Sequence, residues 1–145
     1  MIKEILCIYI IDDTGTPIFI RENYIQGSEN ANHALLSDFI TALQSFAKEF
    51  GEEETRIVEL SDAKIFSTLD NLTNYLFIIK SDMSTKSKKM FEMLNKIKNL
   101  FIDSFMGQLA SSNEKKKKIM ESFEYNLDVL LEEPSEKFLG FLKSL

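Results

Sequence analysis

A reaction at neutral pH needs a nucleophile, a base or a set of metal ligands, and this sequence supplies few of them. His33 is the sole histidine and Cys7 the sole cysteine. A Cys/His nucleophilic pair would require the two to converge. Cys7, however, lies inside an apolar run, where thiols are ordinarily buried and inert, and His33 falls at the first turn of a predicted helix. Asp12 and Asp13 suggest a calcium loop, but the following ladder positions hold Thr14, Thr16 and Ile18 instead of carboxylates. A turn-forming role is the better reading of that pair. Glu132 and Glu133 read as surface charges at a helix end. There is no glycine-rich phosphate loop, no HExxH motif and no glycine-flanked serine. The expectation is a chain that is not an enzyme and carries no catalytic residue, no metal site and no cofactor.

Charge is distributed unevenly. Residues 86–118 hold nine lysines against Glu92, Asp103 and Glu114, a local charge of +6, which leaves −12 for the rest of a chain whose net charge is −6. Lys115 to Lys118 form an unbroken run, but no aromatic residues interleave with them as a nucleic-acid groove requires, and the isoelectric point of 4.9 opposes such binding. The two lysine-rich stretches read as solvated helix faces. They also leave open a peripheral contact with an acidic protein or an anionic membrane surface.

A chain of 145 residues fits one domain, which buries roughly 68–70% of its unfolded surface. A hydrophobic share of 44% and a charged share of 28% are those of an ordinary globular protein. One cysteine excludes an internal disulfide. No apolar run reaches the ~18 residues of a membrane helix. The run at 5–11 follows Lys3 and Glu4 and lacks a small-residue cleavage site. A soluble, cytoplasmic protein is expected.

The order of periodicities is the clearest structural signal. Residues 5–11 are apolar without alternation, which predicts a strand covered on both faces. A turn with Gly15 follows, and Pro17, lacking an amide donor, predicts that the next strand lies at an edge. From His33 the period becomes helical. Leu36, Phe39, Ile40, Leu43, Phe46, Ala47 and Phe50 form one stripe ending at Gly51. Burying its six large side chains contributes on the order of 10 kcal/mol before entropy. Three strands are predicted at 56–60, 64–68 and 75–80, turning near Ser61-Asp62 and Asp70-Asn71. A helix between Lys86 and Met106 carries Met90, Met93, Leu94, Ile97, Leu100, Phe101 and Phe105. Another, marked by Ile119, Met120, Phe123, Leu127, Leu130 and Leu131, ends before Pro134. A short terminal helix is expected around Phe138 to Leu145. The fold class is α+β, with a five-stranded antiparallel sheet between helical layers.

Hairpin, helix, three-stranded meander, helix, helix is the order of the longin domain family. The resemblance is carried by the strand 5–11, the stretch Gly15-Thr16-Pro17-Ile18-Phe19, the helix 35–50, the meander 56–80 and the helix 88–105. The chain is also similar to small longin-like proteins of archaea. The resemblance implies a sheet of order 2-1-5-4-3, with the first helix on one face and the later helices on the other. It implies a core at 1–107, with helices of 108–145 packed on the same domain. Longin domains serve membrane trafficking by binding proteins, often small GTPases or another longin or roadblock domain. Without a heptad-rich tail or membrane anchor, the chain resembles the adaptor small subunits and tethers more than the fusion proteins. Roadblock domains usually begin with a helix, whereas this chain begins with a strand.

By that resemblance the partner surface joins the outer face of the first helix, with Ser37, Thr41, Gln44, Ser45 and Lys48, to the edge strand with Arg56, Val58 and Leu60. Both homo- and heterodimers remain open. A second reading is a PAS- or profilin-like small-molecule sensor, with its ligand between sheet and helix. Such a cavity needs polar anchors among apolar walls, whereas the predicted sheet-facing positions are almost purely aliphatic and aromatic.

Overall fold

The computed structural model describes residues 4–22, 55–59, 61–105 and 112–132. The predicted helix 35–50 and the terminal segment beyond Glu132 lie outside them. The described residues form strands β1 (Ile5–Ile11), β2 (Pro17–Glu22), β3 (Thr55–Glu59), β4 (Ala63–Leu69) and β5 (Leu76–Asp82), followed by helices α1 (Ser87–Phe105) and α2 (Asn113–Leu131). All strand pairs are antiparallel and the sheet order is β2-β1-β5-β4-β3. The fold is α+β, and its strand order is the one that the longin resemblance implies.

The unbroken apolar runs occupy the middle of the sheet because both of their faces are buried. Register separates those faces. Cys7, Tyr9, Ile11, Ile65, Leu76 and Ile78 form one buried cluster, with Val58 and Leu69 packed against it. The alternate residues Ile8, Ile10, Phe66, Phe77 and Ile79 pair across the other face, and all five are fully buried. There Phe91 of α1 meets Phe66 edge-on, with ring centroids 5.1 Å apart. Each such apolar side chain contributes about 1.5–3 kcal/mol on burial, so the two central strands anchor the sheet.

Short polar segments set the turns. Between β1 and β2 the Asp12 carboxylate accepts from the Thr14 amide at 2.9 Å, the Thr14 hydroxyl at 2.6 Å and the Thr16 amide at 2.9 Å. Gly15 completes this turn with φ 86°, a conformation glycine adopts without steric cost. Between β4 and β5, Asp70 accepts from the amide and hydroxyl of Thr73. Asp82 does the same at the entry to α1, accepting from the Ser84 amide and from the Ser84 and Thr85 hydroxyls. This is the Asx-turn chemistry expected of aspartate at chain reversals.

The chain divides into two compact units. One, Glu4–Leu94, contains the sheet and the first turns of α1; the other, within Asn95–Leu145, contains the remainder of α1 and α2. In the second unit Phe101 stacks on Phe105 at 4.5 Å and meets Phe123 edge-on at 5.4 Å. Phe123, Leu127 and Leu131 form the buried stripe of α2. Ser112 caps that helix, its hydroxyl accepting from the Lys115 amide.

Candidate interaction surface

The titratable groups that invite a catalytic reading have structural employment. Burial pushes the Cys7 thiol up to about 11, against a partly opposing hydrogen bond with Tyr9, so it stays protonated at neutral pH and is a poor nucleophile. Burial also acts to raise the Asp12 carboxyl, but the hydrogen bonds from Thr14, Thr16 and Gly15 outweigh it and hold the group below the ordinary range. Asp82 is held low chiefly by the hydroxyls of Ser84 and Thr85. Glu4 is lowered by a backbone hydrogen bond and by Lys89, whose Nζ lies 3.1 Å from its carboxylate. Among the described residues no three His, Cys, Asp or Glu side chains gather where they could hold a metal ion.

What the described residues do offer is an edge. β3 runs in regular register with β4, from Thr55 opposite Thr68 to Glu59 opposite Lys64, with no bulge. Among the described residues it pairs with β4 alone, the position in a sheet where a strand has a row of backbone amides and carbonyls to offer another chain. Ile57 is 43% exposed. It pairs with Phe66 and therefore faces away from Val58.

Of the residues expected at the partner surface, Arg56 and Val58 lie on this edge strand. Ser37, Thr41, Gln44, Ser45, Lys48 and Leu60 lie outside the described residues. Val58 is half-buried against the cluster around Tyr9, so its side chain serves the core and its backbone is what reaches the edge. Ile57 is the apolar side chain that the sequence reading missed. Two adjacent apolar residues give no parity of their own, and only the register with β4 reveals which one faces outward.

The lysines occupy an unexpected end of each helix. α1 begins among Lys86, Lys88 and Lys89, and α2 begins with Glu114 followed by Lys115 to Lys118; neither helix has a basic residue in its last turn. A helix macrodipole favours the opposite arrangement, by roughly a few tenths of a kcal/mol per exposed charge. Local helix stability therefore does not explain this placement. No helix among the described residues is long and apolar enough to cross a membrane.

No protein-family model matches the chain, and no curated protein matches it in sequence. Solved structures do. The chain is similar to the gliding protein MglB from Thermus thermophilus, with 15% identity, 65% of this chain and 73% of that one covered, and a TM-score of 0.49. It is similar to Myxococcus xanthus MglB, with 13% identity, 68% and 85% covered, and a TM-score of 0.47. It is also similar to a Roadblock/LC7 domain from Streptomyces avermitilis, with 13% identity, 68% and 87% covered, and a TM-score of 0.45. These are likenesses of backbone course over about two-thirds of the chain, and at this level they say nothing of partner or activity.

Proposed function

We propose that this chain is a non-catalytic protein-interaction module whose partner docks on β3 and extends the sheet. The observation that carries the reading is the regular, bulge-free edge of β3, with Ile57 exposed beside it. Strand addition draws affinity from main-chain hydrogen bonds and specificity from neighbouring side chains, and Ile57 supplies an apolar contact of that kind. The longin resemblance names the partner class as a small GTPase or a longin or roadblock domain, in a trafficking-like process. It adds Ser37, Thr41, Gln44, Ser45 and Lys48 to the surface. The full employment of Asp12, Asp82 and Glu4 in turns and an ion pair supports a scaffold over an enzyme.

The test is affinity capture from the source cell followed by identification of what is bound. Recovery of a GTPase or of a second longin or roadblock domain is the expected result. Val58→Pro removes one amide from the edge strand, and Ile57→Arg charges the contact while leaving the backbone intact. Both should abolish capture in proteins whose melting shows them to be folded. Capture that persists in both variants removes β3 from the interface.

A further inference from the structure

Among the described residues, α2 has one buried face and one exposed face. Phe123, Leu127 and Leu131 are buried. At about 100° per residue, Tyr125 points nearly opposite that stripe. Tyr125 is 69% exposed and Val129, one turn further on, is 47% exposed. A soluble helix ordinarily keeps such residues off its solvent face. Along the same outer line, Lys118 lies seven residues before Tyr125 and Glu132 seven residues after it, each about 10 Å away along the axis. Both are exposed. Charge along the helix is uneven: after Glu114, Lys115 to Lys118 crowd its first turns, and Glu121, Glu124, Asp128 and Glu132 follow, so the lysines lie against the preference of its macrodipole.

These features are self-complementary in one arrangement. We infer that α2 docks against α2 of a second copy of this chain, antiparallel, with the two-fold axis at Tyr125. The axis brings Tyr125 against its own symmetry mate, in the offset or edge-on contact that aromatic pairs prefer. It places Lys118 opposite Glu132 of the other copy, and the same pair recurs on the far side because an isologous contact repeats every interaction. In this register Lys115 to Lys117 pass beyond the last residue of the partner's helix, so Lys118 and Glu132 are the charges that meet. A parallel pairing would set lysine run against lysine run and is excluded by repulsion. The reversed charges, unfavourable for an isolated helix, become favourable across this contact. One helix face is far smaller than the roughly 1,200–2,000 Å² of a stable complex, so the pairing is weak, concentration-dependent and sensitive to salt. It uses a different element from β3 and does not depend on the reading of that edge.

Cross-linking tests the register directly on the full chain. Cys7 is fully buried and does not compete for an oxidant. Tyr125→Cys should form a disulfide-linked dimer on mild oxidation, because a residue on a two-fold axis meets itself. Lys118→Cys alone should not cross-link, and neither should Glu132→Cys, but a mixture of the two should. Sedimentation equilibrium at low salt should show Lys118→Glu and Glu132→Lys each weakening self-association about tenfold, with the double exchange restoring it. A wild type that stays monomeric at the highest attainable concentration overturns the inference, whether residues 133–145 or another protein takes the face. Failure of the charge exchange to restore association overturns it equally, as does cross-linking of Lys118→Cys to itself.

Discussion

The two edges of the sheet are built differently, and the difference shows where the molecule is prepared to meet another chain. β2 opens with Pro17, which has no amide to donate, and its register against β1 shifts between Ile10 and Ile11. Its Arg21 guanidinium lies 5.8 Å from the centroid of the Phe19 ring. Proline, a bulge and a charge held over the strand are three of the devices by which proteins prevent stray strand pairing. β3 has neither proline nor bulge across its five residues. Each strand nevertheless carries one exposed isoleucine, Ile20 at 42% and Ile57 at 43%. Apolar exposure is therefore matched between the edges, and backbone availability is not. A hydrophobic side chain alone does not mark a docking edge; a pairable backbone beside it does.

Both edges depend on the buried central strands, and disrupting those strands should have the largest effect. Ile8 is fully buried, between Arg21 of β2 and Ile79 of β5 in register. Ile8→Asp should cost at least about 3 kcal/mol, since it removes a fully buried aliphatic side chain and desolvates a carboxylate that Arg21, opposite in register, only partly offsets. Chemical denaturation is the measurement. A variant as stable as the parent would remove β1 from the interior.

The matched isoleucines give the next test. Ile20→Arg and Ile57→Arg start from equal exposure, so each should change stability by less than about 1 kcal/mol. Only Ile57→Arg should weaken the partner complex, by about tenfold or more, which is about 1.4 kcal/mol. Titration of the captured partner against both variants decides it. Equal losses would mean that the edges do not differ in function.

Much of this asymmetry was legible before the structure. The unbroken apolar run at 5–11 announced a strand buried on both faces, 75–80 is apolar up to Lys80, and Pro17 announced an edge. The register shift after Ile5 was not legible, because Leu6 looks like its neighbours and is nevertheless the residue skipped in the pairing with β5. Parity at Ile57 and Val58 was hidden for a related reason: it is set by strands that are distant in sequence. In α2 the stripe through Phe123, Leu127 and Leu131 was plain. Tyr125 and Val129 escaped notice because they lie off that stripe, and their exposure is known only once the helix has been packed. The helix residues of the expected partner surface were read from resemblance, and their placement is a matter for the partner complex itself.

Turn chemistry gives a smaller, pH-dependent effect. Asp82 has a folded pKa below its ordinary value of 3.8 because the hydroxyls of Ser84 and Thr85 bond its ionised form. A depressed carboxylate contributes stability above its unfolded pKa and loses it as pH falls through the folded pKa. The stability gap between wild type and Asp82→Ala should therefore be full at pH 6 and close as pH drops below about 3.8. Asp12, lowered by its own turn, should behave alike in Asp12→Ala. Thermal melts across this range measure both gaps. A gap that stays constant into acid would show that these carboxylates act by shape and not by charge.

The smallest expected effect concerns the side chains that blunt β2. Arg21 is half-buried and Phe19 beneath it is buried, so the guanidinium covers an aromatic ring that belongs to the edge strand. A cation over a ring at this distance contributes about 0.5–1 kcal/mol where water still reaches it. Arg21→Ala should therefore lower stability by about that amount, and Arg21→Lys by less, since the lysine keeps charge but not the planar stacking surface. The informative measurement is association. Removing the cover leaves Pro17 and the bulge in place, whereas the double change Pro17→Val with Arg21→Ala leaves only the bulge. If side chains blunt the edge, the double variant should self-associate at concentrations where Arg21→Ala alone does not. If both remain as dispersed as the parent, the bulge between Ile10 and Ile11 is sufficient, and the asymmetry between the two edges resides in the backbone.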